Sequence, residues 1–175
     1  GGAGSGRAAS RGCRSAPSQP LECSPAGREA VVELCDELAR IVGGALEGAR
    51  RRGALDEPTH AVGRGAGDTT FALDVPTEEA IDLWFDAHAA LGPLSLLTED
   101  RGWRHAGPDG RGGARALQDF AHGGPRLVID PIDGTRNLMH GLRPAWTVVG
   151  LAPPGGPEPR LGDLEHGVRA ELPPR

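Results

Sequence analysis

The sequence contains no lysine: all 19 basic residues of its 175 are arginine. We read this as a composition bias rather than a device of function. The formal net charge of −5 argues against a nucleic-acid-binding domain. There are three cysteines, Cys13, Cys23 and Cys35, an odd number with no C-x-x-C pair. That argues against a disulfide framework or a zinc site, and makes a reducing cytoplasm the simplest compartment. No apolar run approaches the ~18 residues needed to cross a membrane. The first residues lack the apolar core of a secretory signal. No internal repeat is visible. Glycine and proline are abundant, at 28 and 16 residues. This borders on low-complexity composition, although periodic apolar segments are present.

One stretch carries most of the information: Leu127-Val128-Ile129-Asp130-Pro131-Ile132-Asp133-Gly134-Thr135-Arg136-Asn137. Leu127 to Ile129 is short, apolar and β-branched, as in a buried strand. Asp130 is expected to end it, because Pro131 has no N–H to give to a sheet ladder and a strand could continue through it only at an edge. Asp133-Gly134 signals a tight turn, and Thr135 to His140 opens a short helix. Two carboxylates thus stand three residues apart where a strand enters a turn. Magnesium takes oxygen ligands, usually one or two carboxylates together with substrate phosphate. The Ile132 carbonyl can face the same space, and the amides of Gly134 and Thr135 lie at a helix start, where anions bind. The plain alternative is a strand-turn-helix joint with Asp133 as an ordinary cap.

Around this stretch the chain reads as follows. Residues 1–24 have too few apolar side chains to offset the entropy of ordering and are expected to form a disordered tail. Ser24-Pro25 opens an amphipathic helix running from about residue 25 to about 51. Its last-turn arginines, Arg50 to Arg52, complement the helix dipole. Residues 53–68 read as a glycine-rich linker. Thr69 to Asp74 is a short strand. Thr77 is expected to cap a second helix, with Ala80, Ile81, Trp84, Phe85, His88 and Leu91 on its apolar face, His88 being a packed core histidine. Gly92-Pro93 stops that helix. Leu94 to Leu97 is a buried strand that delivers Glu99 and Asp100 at its end. Residues 101–125 read as a second glycine-rich loop, Trp146 to Ala152 as a strand, and Leu164 to Leu172 as the last strand.

Three motifs in order, G-D-x-T-x-x-x-D-x-x-x-E (Gly67 to Glu78), T-E-D (Thr98 to Asp100) and D-P-I-D-G-T-x-N (Asp130 to Asn137), resemble the signatures of the inositol monophosphatase family, which shares a sugar-phosphatase superfamily with the fructose-bisphosphatases. The resemblance spans roughly residues 28–172. It implies an α+β fold: a layered sandwich with a mixed, mostly antiparallel sheet and two N-terminal helices. It implies a Mg²⁺-dependent phosphatase, with Mn²⁺ as a substitute, acting on a phosphate monoester of a sugar or inositol. By position, Glu99, Asp130 and the Ile132 carbonyl would hold one cation, and Asp130 and Asp133 would share a second. Asp74 would hydrogen-bond Thr135, the pair activating the attacking water, and the amides of Gly134 and Thr135 would bind phosphate. The expected partners are a small phosphorylated sugar or polyol and, where the full-length fold is present, a second copy in a homodimer, with neither nucleic acid nor membrane.

Two departures stand out. The family's W-D-x-A-A-G motif is absent, and Arg64 stands where the family carries a lysine ahead of the first motif. Residues 25–175 are therefore expected to be the N-terminal, metal-binding half of such a domain. The alternative is a non-catalytic metal-binding or assembly module derived from the same family.

Overall fold

The computed structural model describes residues 27–52, 61–64, 69–140, 142 and 144–172. The predicted tail, the start of the first helix at Ser24-Pro25, Cys13, Cys23 and most of the 53–68 linker lie outside these residues.

The first helix, α1, spans Gly27–Arg51. It buries Leu34, Cys35, Leu38, Val42 and Ala49, residues that recur at the three- and four-residue spacing of a one-sided helix. The strand β1 (Ala61–Arg64) pairs antiparallel with β2 (Thr69–Phe71) in a small ribbon. Residues 61–64, read in the sequence as linker, are therefore a strand. Glycine and arginine carry little strand propensity, and only a partner could reveal the pairing.

The second helix, α2, runs from Val75 to Ala89 with Asp74 at its N-cap. Its start lies two residues ahead of the expected Thr77 cap. Pro76 occupies an N-terminal position where a missing N–H costs nothing. Thr77 sits inside the first turn, fully buried, and its hydroxyl donates to the Asp74 carbonyl at 2.7 Å. Ile81, Trp84, Phe85 and His88 are buried as expected. His88 Nδ1 stands 3.0 Å from the Trp84 carbonyl. Leu91, placed on the same face by the sequence, lies beyond the helix end and is exposed.

The main sheet contains β3 (Leu94–Thr98), β4 (Gly102–Pro108), β5 (Ala114–Ala116), β6 (Arg126–Asp133), β7 (Trp146–Ala152) and β8 (His166–Glu171), in the order β5-β4-β3-β6-β7-β8. β3 and β6 are parallel and every other pair is antiparallel. The class is α+β with a mixed, mostly antiparallel sheet. A short helix, α3 (Thr135–Met139), follows β6. The expected loop at 101–125 in fact holds β4 and β5. The hairpin was hidden because its residues, Gly-Trp-Arg-His-Ala-Gly-Pro, show no clean alternation.

α1 lies over β6, β7 and β8, α2 lies over β3, β4 and β5, and the two helices touch each other. The core between them and the sheet contains Leu38, Val42, Ile81, Leu96, Leu127, Ile129 and Val149, all with essentially no exposed surface. Burying each such side chain contributes about 1.5–3 kcal/mol.

Strand β6 does not stop at Asp130. It continues to Asp133, with a register shift against β7 between Asp130 and Asp133. This corrects the expectation drawn from Pro131. Pairing with β3 has ended at Thr98–Ile129, so no neighbour on that side needs the N–H that Pro131 lacks. On the other side the bulge absorbs it, the one arrangement in which an interior strand tolerates proline.

Candidate active site

The ends of three elements meet at one cavity of about 430 Å³, lined among others by Asp74, Glu78, Glu99, Asp100, Asp130, Ile132, Asp133, Gly134, Thr135 and Arg136. The parallel pairing of β3 and β6 explains why. Both strands point the same way, so the carboxylates that follow β3 and those that close β6 emerge at one end of the sheet. α2 then begins beside them and contributes Asp74 and Glu78 from its first turn.

The β6 bulge shapes the centre of the site. Asp130 is half-buried, and its Oδ1 accepts the Ile132 N–H at 3.0 Å. The Pro131 carbonyl is turned inward and accepts from the buried Thr147 hydroxyl at 2.9 Å. Gly134 has φ of +93°, a left-handed conformation natural to glycine. A Cβ there would also meet the Pro144 carbonyl at 3.0 Å. Thr135 donates to the Ile132 carbonyl at 2.9 Å and lies 3.3 Å from Asp74 Oδ1. Asn137 fastens the turn to the Pro144 carbonyl at 3.1 Å.

The electrostatics of this cavity are one-sided. Burial, followed by the nearby charges of Glu99 and Asp133, pushes the Asp130 carboxyl up to about 6, and Asp74 adds to the effect. Glu78 is also raised, chiefly by burial, against the stabilising hydrogen bond from Thr98. Crowded carboxylates that disfavour one another's charge are relieved by a cation. As the side chains stand, no group of three His, Cys, Asp or Glu residues is gathered closely enough to hold a metal ion among the described residues. The donors nevertheless suit a hard cation in kind, being carboxylate oxygens with one peptide carbonyl and no nitrogen or sulfur.

The residues predicted from the sequence, Asp74, Glu99, Asp130, Ile132, Asp133, Gly134 and Thr135, all line this one cavity. Sequence reasoning passed over the contact between Glu78 and Thr98, whose hydroxyl donates to Glu78 Oε2 at 3.0 Å. The available signal was position: Glu78 lies one helical turn after Asp74, so the two share a face. Cys35, the free cysteine among the described residues, is buried against the Thr147 carbonyl away from the cavity lining. Its thiol is pushed up to about 11, mainly by burial.

Over a short part of its length the chain is similar to an inositol monophosphatase. Over 52 residues the chain is 40% identical to inositol monophosphatase 2 of Saccharomyces cerevisiae, a match that covers 26% of this chain and 18% of that protein. A crystal structure of Leishmania major fructose-1,6-bisphosphatase in holo form aligns with a TM-score of 0.48 at 17% identity, over 80% of this chain and 39% of that one. The chain thus spans well under half the length of either protein. No protein-family model matches it. Among the described residues no helix is long and apolar enough to cross a membrane.

Proposed function

We propose that this chain carries the metal-binding part of a phosphatase that hydrolyses a phosphate monoester of a sugar or inositol with the help of Mg²⁺. The observation that carries the reading is the crowding of Asp130 by Glu99 and Asp133 in a cavity where Arg136 is the only basic lining residue among the described residues. A phosphate dianion would be repelled from such a cavity unless cations came first.

In this reading Glu99, Asp130 and the Ile132 carbonyl hold one cation, and Asp130 and Asp133 share another. Bound divalent cations would supply Lewis acidity, a lowered water pKa and neutralisation of charge on the transferring phosphoryl group. The chain's own residues perform the remaining tasks. The amides of Gly134 and Thr135, residues of the cavity lining at the start of α3, have no acceptor within the helix and would donate to phosphate oxygens. Asp74 and the Thr135 hydroxyl, as a pair, would orient and activate the attacking water. The β6 bulge keeps the Asp130 and Asp133 carboxylates on one side of the chain. The reading brings with it a cytoplasmic, homodimeric enzyme with a small phosphorylated polyol as substrate.

The test is release of inorganic phosphate from inositol 1-phosphate and from a sugar phosphate, with Mg²⁺ and with chelator. Mg²⁺-dependent release that Asp130→Asn abolishes supports the reading. Metal uptake without phosphate release supports the alternative of a non-catalytic metal-binding module. Release unaffected by chelator sinks both.

A further inference from the structure

Glu78 brings a carboxylate into the cavity, and the proposed chemistry leaves it without a task. It is 5% exposed. Its Oε2 accepts from Thr98 at 3.0 Å, and Arg101 Nε lies 3.4 Å from the same oxygen. Thr98 is fully buried and is the last residue of β3. The other end of the Arg101 guanidinium pairs with Asp82 at 2.8 Å, and Asp82 also accepts from Arg104 of β4. The turn from Thr98 to Arg101 is therefore gripped at both ends by α2. Glu99 and Asp100 are the two residues between the grips.

A strand end beyond its last ladder bond samples several backbone states, and each ordered residue costs about 1–2 kcal/mol of entropy. Ligands presented from such an end need support from a surrounding layer. The same turn of α2 already supports the other carboxylate-bearing segment, because Asp74 meets Thr135. Two carboxylates one helical turn apart thus each engage a threonine hydroxyl, one at the β6 turn and one at the β3 end.

We propose that Glu78 is a positioning residue: by holding Thr98 and Arg101 it sets the direction in which Glu99 is presented to a divalent cation. The inference rests on the metal reading above and assigns Glu78 a role in the supporting layer, distinct from that of a ligand.

The experiment measures Mn²⁺ affinity of the full chain by electron paramagnetic resonance of the free ion. The variants are Glu78→Ala, Glu78→Gln, Thr98→Val and the Glu78→Ala/Thr98→Val pair, with Asp130→Asn as control. Loss of a supporting contact weakens metal binding by about 10- to 100-fold. Glu78→Ala and Thr98→Val should each do so, and the pair should do no more than either alone. Glu78→Gln keeps an oxygen for the Thr98 hydroxyl and should recover most of the affinity. Far-UV circular dichroism checks folding; should Glu78→Ala fail to fold, the near-isosteric Thr98→Val decides. Unchanged affinity in Thr98→Val overturns the proposal, and if Glu78→Gln is then as damaging as Glu78→Ala, Glu78 is itself a ligand. If the wild type does not bind Mn²⁺, or binds it no better than Asp130→Asn, the metal reading falls and this inference falls with it.

Discussion

The Thr135 hydroxyl lies 3.3 Å from Asp74 Oδ1, joining residues 61 positions apart, and donates at 2.9 Å to the Ile132 carbonyl. A hydroxyl has one proton, and here the shorter bond takes most of it. When the Ile132 carbonyl is engaged elsewhere, the proton is free to turn to Asp74. We expect Thr135→Ala and Asp74→Asn each to lower kcat for phosphate release by about 10² or more, the scale of a lost proton-transfer contact. Unchanged kcat with a raised KM would instead assign Thr135 to substrate holding.

Cation binding should be visible as stability. A ligand that binds only the folded chain raises the thermal midpoint, by an amount equivalent to about 2.7 kcal/mol at a hundred times its dissociation constant. Mg²⁺ or Mn²⁺ should raise the midpoint of the wild type and leave that of Asp130→Asn unmoved. Equal shifts in both proteins, or none in either, would overturn the assignment of Asp130.

Without divalent cations, the Asp130 carboxyl makes stability depend on pH. Its folded value of about 6 lies above the ordinary 3.8, so between these values the folded chain holds more protons than the unfolded one. Stability from this group is therefore lost as pH rises from about 4 to 6. Thermal midpoints taken across that interval in chelator should fall for the wild type and fall less steeply for Asp130→Asn. Parallel slopes would mean that other groups, such as the raised Glu78, dominate.

The Thr147–Pro131 contact predicts a structural effect. Thr147→Val preserves shape but leaves the inward-facing Pro131 carbonyl without its 2.9 Å donor. An unsatisfied buried acceptor costs about 1–3 kcal/mol, which should appear as a lower midpoint in urea at unchanged m-value. A midpoint within error of the wild type would show that the bulge is held by its other contacts.

Much of this protein was legible in its sequence because the signals were local. The spacing of Leu34, Leu38 and Val42 marks one face of a helix whatever it packs against. Leu127 to Ile129 reads as a buried strand from its composition. The D-P-I-D-G-T string brings two carboxylates, a carbonyl and a glycine turn into a few residues of chain, so their nearness required no knowledge of the fold. Three features were decided only by tertiary structure. Pro131 remains within a strand because β3 stops short of it and β7 accepts a bulge, facts about neighbours distant in the sequence. The β4–β5 hairpin exists because β3 offers β4 an edge, which outweighs a sequence without alternation. Glu78 meets Thr98 because α2 lies across the ends of parallel strands. A carboxylate in a helix's first turn reads as ordinary dipole compensation until the strand end facing it is known.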